Sequence, residues 1–76
     1  MKGESVESQI AELEKQREQA RSRNEQLPPG FRAHLGMLYG KVGQDEKMLQ
    51  QLNEEKKAFP EAAPYIDHLL SKVKQP

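Results

Sequence analysis

The chain has 76 residues, 34% hydrophobic and 32% charged, with 12 basic and 12 acidic side chains and no cysteine. That length allows one domain with a thin core, because so short a chain buries only about 60% of its unfolded surface. The balanced charge excludes a general nucleic-acid binder and a polybasic membrane patch, and the missing thiols exclude a disulfide framework, a zinc–thiolate site and a cysteine nucleophile.

No run has the length of a transmembrane helix, and the opening "MKGESVESQ" lacks the apolar centre of a secretory signal. Residues 4–26 contain neither Pro nor Gly and read as one long helix. Val6, Leu13, Ala20 and Leu27 recur every seven residues, with Ile10 between the first two, as a heptad-like stripe. Its second seam gives out at Arg17 and Asn24. The pairs Glu12–Lys15, Glu14–Arg17 and Glu18–Arg21 stand i,i+3 and support the helix weakly. A stripe this narrow packs on a neighbouring helix. The alternative is a coiled-coil dimer, against which count the two polar seam positions and a length of barely three heptads.

"LPPG" at 27–30 breaks the helix, since Pro28 disfavours helix in the residue before it and Pro29 suits a new first turn. A second helix, 30–43, carries Phe31, Leu35, Leu38, Tyr39 and Val42 on one face, and Gly43 ends it in the position of a left-handed cap. Asp45 and Glu46 open a third helix, 45–58, whose buried side is Met48, Leu49, Leu52 and Phe59 and whose solvated side is "NEEKK". "FPEAAP" breaks the chain again. A last helix, 63–74, has Pro64 in its first turn and is lined by Tyr65, Ile66, Leu69, Leu70 and Val73. The expected fold is all-α, one domain of four helices joined by short connections as antiparallel hairpins.

A glycine inside a helix costs about 1 kcal/mol relative to alanine and survives where another backbone comes too close for a Cβ. Leu35, Gly36, Tyr39, Gly43 and Pro60 form the pattern L-G-x-x-Y-x-x-x-G, a second amphipathic helix, then Pro. This resembles the tetratricopeptide repeat, a helix-turn-helix unit of 34 residues. The match spans 29–62 as one repeat, and a shift of 34 places Phe31 on Tyr65, His34 on His68 and Leu35 on Leu69, so that 63–74 reads as a capping first helix. The resemblance implies that Gly36 lets the two helices approach, Tyr39 fills the space behind it, Gly43 turns the chain and Pro60 ends the second helix. The family's small residues in the second helix are replaced by Met48 and Glu55, and its aromatic near the start of the first by Arg32. Gly40 lies outside the pattern and marks either a contact with the first helix of the chain or a surface position.

The series "PPG…LG…Y…FPE", within residues 27–70, is also similar to the C-terminal part of a family of small bacterial lipoproteins of unknown function. That resemblance implies an outer-membrane lipoprotein of Gram-negative bacteria, on the periplasmic side, encoded beside a curli-secretion-channel-like lipoprotein and a second small lipoprotein. It further implies that the signal, the lipid-acceptor cysteine and the family's first segment lie outside this sequence.

His34 and His68 would stand about 10 Å apart if one repeat separates them, too far to share a metal, and a metal site needs three or four convergent ligands. Asp67 and His68 point about 100° apart on a helix and form no dyad. "GMLYGKVG" lacks the spacing of a phosphate loop. The reading is therefore a non-enzymatic protein–protein interaction module without cofactor or metal, its partners envelope lipoproteins, with no nucleic acid bound and no membrane insertion by this segment. The alternative is a self-associating helical element that dimerises through its first helix. The tetratricopeptide resemblance places a partner groove on Ala33, Met37, Lys41, Asp67, Ser71 and Lys74. Ala33 and Met37 stand where the carboxylate-binding subgroup of that family has Lys and Asn, so a terminal carboxylate held in that way is not expected.

Overall fold

A computed structural model of the chain describes residues 5–72. They form four α-helices, α1 (Val6–Ser22), α2 (Phe31–Lys41), α3 (Asp45–Ala58) and α4 (Ala63–Ser71), with a 3-10 turn at Pro60–Ala62 leading into α4. No strand occurs among the described residues.

The helix ends follow from local chemistry. Ser5 caps α1, its Oγ accepting the Ser8 N–H at 3.0 Å. The helix stops at Ser22 rather than running to 26, because Asn24 turns left-handed at φ 59°. The Asn24 N–H then donates to the Arg21 carbonyl at 3.1 Å and the Glu25 N–H to the Ala20 carbonyl at 2.8 Å, the paired bonds of a Schellman ending. The same device ends α2: Gly43 has φ +81°, its N–H donates to Gly40 at 3.2 Å, and the Gln44 N–H donates to Tyr39 at 3.0 Å. Phe59, forced out of helix by Pro60, is extended at φ −134° and closes α3. The last helix ends at Ser71, short of 74, with the Lys72 N–H donating to the Leu69 carbonyl at 3.1 Å; Val73 and Lys74 lie outside the described residues.

The core runs through the middle of the array. Leu35 of α2, Leu52 of α3 and Ile66 of α4 are completely buried. Ile10 of α1 joins them with Ala33, Leu38, Tyr39 and Met48, and Val6 and Leu13 pack against that cluster. The main packing is α2 on α3, with α1 laid on α2 and α4 on α3. Tyr65 is 58% exposed instead of lining the core. The inner stripe of α4 is Ile66, Leu69 and Leu70, and Tyr65 is one residue, about 100°, away from it.

Gly36 marks a close approach of α2 to α3. A Cβ there would stand 3.2 Å from the Met48 carbonyl oxygen and 3.3 Å from the Gln51 Cβ. Gly40 faces α3 as well, not α1 or open solvent, and a Cβ on it would meet the Met48 Sδ at 2.6 Å. The buried stripe of α3 is Met48, Gln51, Leu52 and Glu55, so Glu55, 2% exposed, belongs to the interior and not to a solvated "NEEKK" face. Its carboxylate accepts the N–H of Gly30 at 2.8 Å and that of Ala33 at 3.2 Å, capping an α2 start that has no side-chain cap of its own.

A polar cleft under the second half of α1

The apolar stripe of α1 serves only its first half. Val6, Ile10 and Leu13 pack on the core, but from Arg17 onward the inner face turns polar and the helix no longer fills the space beside the hairpin. The result is a cleft of about 510 Å³ lined on one side by Arg17, Ala20 and Arg21 of α1 and on the other by Tyr39 of α2 and Gln51 of α3. Leu27, buried in the α1–α2 connection, and Arg32, from the first turn of α2, complete the lining.

Tyr39 lies against one wall. Its hydroxyl donates to the Glu14 carboxylate, and the Lys47 Nζ stands 5.5 Å from its ring centroid, within cation–π range. Burial pushes the phenol pKa above its ordinary 10.0, the hydrogen bond and the negative charge of Glu14 push the same way, and Arg17 opposes them.

Four basic side chains (Arg17, Arg21, Arg32, Lys47) and three acidic ones (Glu14, Glu25, Glu54) line the cleft, so it carries a small positive surplus. Several are already engaged. Glu14 accepts from Tyr39, Arg21 pairs with Glu18 at 3.6 Å, and Glu54 accepts from the Gln50 amide at 3.5 Å. Two atoms are not: Arg32 Nη1 and Gln51 Oε1 are both buried and have no hydrogen-bond partner. An unpaired buried polar atom is costly, and here the two atoms belong to residues that line one cleft.

The residues of the expected partner groove are dispersed. Ala33 is buried at 5% exposure and its N–H is held by Glu55, so it belongs to the interior rather than to an open surface. Met37 and Lys41 are exposed on α2, and Asp67 and Ser71 on α4. Asp67 is already paired with Lys56 of α3 at 2.7 Å, and the Ser71 hydroxyl donates to the His68 carbonyl at 2.7 Å. Lys74 lies outside the described residues. Of the residues expected to shape the hairpin, Leu35 and Tyr39 are buried, Gly36 sits at the α2–α3 contact, Gly43 makes the turn and Pro60 follows the end of α3. His34 and His68 are both exposed, and among the described residues no three His, Cys, Asp or Glu side chains converge as metal ligands.

Sequence reasoning missed Arg32 and Gln51 as a pair. Arg32 stood out as a replacement for an aromatic. Gln51, at i+3 from Met48 and one place before Leu52, was legible as an inward position from helical spacing alone.

These features define a small all-α array with a polar cleft at one flank. A family model described as "Domain of unknown function (DUF4810)" matches residues 1–69, and the chain belongs to that family. No curated protein and no solved structure matches it.

Proposed function

We propose that this chain is a protein-binding module of an envelope lipoprotein assembly of Gram-negative bacteria, on the periplasmic side of the outer membrane, and that it performs no catalysis. The observation that carries the reading is the cleft, whose lining residues Arg32 and Gln51 each hold a buried polar atom without a hydrogen-bond partner. Support for a tetratricopeptide-like hairpin comes from Gly36 at the α2–α3 contact and from the left-handed turn at Gly43. The lipoprotein setting rests on the "PPG…LG…Y…FPE" series. No described helix is long and apolar enough to cross a membrane.

The alternative, self-association through α1, is weakened by the use already made of its stripe. Ile10 is buried within the chain, and Val6 and Leu13 pack on the same core. The test is co-purification from a Gram-negative envelope, with the full-length gene carrying or lacking this segment. Retention of neighbouring lipoproteins only when the segment is present is the expected outcome. Unchanged retention after deletion overturns the reading, and sedimentation of the segment then decides whether it self-associates.

A further inference from the structure

We propose that the cleft beside α1 is a carboxylate-binding site, with Arg32 as the charged donor and Gln51 as the second hydrogen-bonding group. The inference deepens the protein-binding reading and rests on it for the source of the carboxylate, a segment of a partner protein.

Arg32 supplies the first argument. Its Nη1 is buried without a hydrogen-bond partner, and no described acidic side chain forms an ion pair with it. A guanidinium is always charged and presents a planar fork of donors that matches a carboxylate. Half-buried and without an ion-pair partner among the described residues, it is a receptor for an anion. Gln51 supplies the second. It is 4% exposed, its Oε1 has no partner, and both residues line the same cleft. Half a turn of the amide exchanges Oε1 for Nε2 with almost no change of shape, so Gln51 can donate to a carboxylate oxygen that Arg32 leaves free.

The neighbouring charges agree. Glu14 and Glu54 accept from the neutral groups of Tyr39 and Gln50, and Arg17, Arg21, Arg32 and Lys47 against Glu14, Glu25 and Glu54 leave the lining net positive by one. Glu25 is exposed, where water and salt screen it. A neutral amide would satisfy the same two atoms but leave the guanidinium charge unanswered, so the site discriminates by charge. It is also separate from the expected groove on Met37, Lys41, Asp67 and Ser71.

The test is a titration of the full chain, followed by nuclear magnetic resonance at the Arg32 Nε–H and the Gln51 side-chain amide. Three blocked tripeptides serve as probes: one with a central Glu and an amidated end, the same peptide with Gln, and an all-Ala peptide with a free C-terminus. We expect saturable millimolar binding of at least one carboxylate probe. The Gln peptide should bind about tenfold more weakly or worse, since it lacks the ion pair. Binding of the Glu peptide assigns an acidic side chain as the source, and binding of the free-ended peptide a chain terminus. Arg32→Gln should abolish the response while circular dichroism shows the helices intact. Arg32→Lys, which keeps the charge but not the fork, should weaken it. Equal response to the Glu and Gln peptides, or no saturable response to either carboxylate probe, overturns the proposal. The peptide comparison decides even if an Arg32 variant fails to fold. Loss of partners on deletion of the segment, with no carboxylate binding, would sink this inference and leave the module reading standing.

Discussion

The carboxylate of Glu55, on the third turn of α3, accepts the backbone N–H of Gly30 at 2.8 Å across 25 residues of sequence. Its other oxygen takes the N–H of Ala33 at 3.2 Å. Gly30 is the N-cap of α2 and Ala33 its third helical residue, so one buried side chain does the work of both partners in a capping box. The bond also ties the end of the hairpin to its beginning.

Replacing Glu55 should therefore cost more than an ordinary cap. Charge-assisted hydrogen bonds contribute about 1.5–3 kcal/mol, and buried N–H groups left without an acceptor add to the loss. We expect Glu55→Gln to lower stability by about 1 kcal/mol, since one neutral acceptor remains, and Glu55→Ala by about 2 kcal/mol or more. Urea unfolding of the three proteins checks this. A Glu55→Ala protein as stable as the parent would show that water caps α2 equally well.

The two inner glycines of α2 should behave differently. At Gly36 the obstacles are the Met48 carbonyl at 3.2 Å and the Gln51 Cβ at 3.3 Å, atoms tied to the α3 backbone. Gly36→Leu must push the helices apart. The chain's whole stability is about 4–11 kcal/mol at 0.05–0.15 kcal/mol per residue, and overpacking on this scale consumes 3 kcal/mol or more. Loss of a cooperative melt is the expected result. At Gly40 the obstacle is a side-chain sulfur, Met48 Sδ at 2.6 Å, and methionine can move. Gly40→Ala should cost about 1 kcal/mol in the parent and become stabilising in a Met48→Ala background, where only the helix-propensity gain remains. Additive effects in that double-mutant cycle would show that Met48 does not oppose the substitution.

The four helices, the turn at Gly43 and most of the core were legible in the sequence, because period, proline and glycine each act locally. The buried role of Glu55 was not, for a physical reason. Charge placed Glu55 among solvated neighbours, yet its position seven residues after Met48 and three after Leu52 puts it on the inner stripe. Periodicity and polarity disagreed, and periodicity prevailed because Gly30 and Ala33 supply the hydrogen bonds that burial demands. A partner 25 residues away leaves no local trace. The end of α1 failed differently: nothing before residue 27 breaks a helix outright, and Asn24 ends it only by accepting a left-handed conformation.

That conformation gives a pair of opposite predictions. Asn24 and Gly43 occupy the same position of two Schellman endings, at φ 59° and 81°. Glycine bears positive φ without a Cβ penalty, whereas a non-glycine residue there costs about 1–2 kcal/mol. Gly43→Ala should destabilise by about 1 kcal/mol, and Asn24→Gly should stabilise by a few tenths of a kcal/mol, because asparagine already tolerates the region. A shared sign for the two substitutions in thermal melts would show that one of these turns is not left-handed in solution.

Tyr39 sets the alkaline limit. Its phenol is held above the ordinary 10.0 by burial first and then by Glu14, so the folded chain keeps this proton more tightly than the unfolded chain does. Stability from such a group is fully present below the unfolded value and is lost as pH rises through the folded one. From pH 6 to 9 this residue should make no contribution to the slope of Tm. Above about pH 10 the parent should lose stability as the unfolded phenol ionises and the buried one resists, with deprotonation also breaking the bond to Glu14. Tyr39→Phe should start from a lower Tm, having lost that hydrogen bond, and should decline less steeply between pH 10 and 12. Identical slopes for the parent and Tyr39→Phe would mean that the phenol ionises in the folded chain as readily as in water, and the wall of the cleft at Tyr39 would have to be open to solvent.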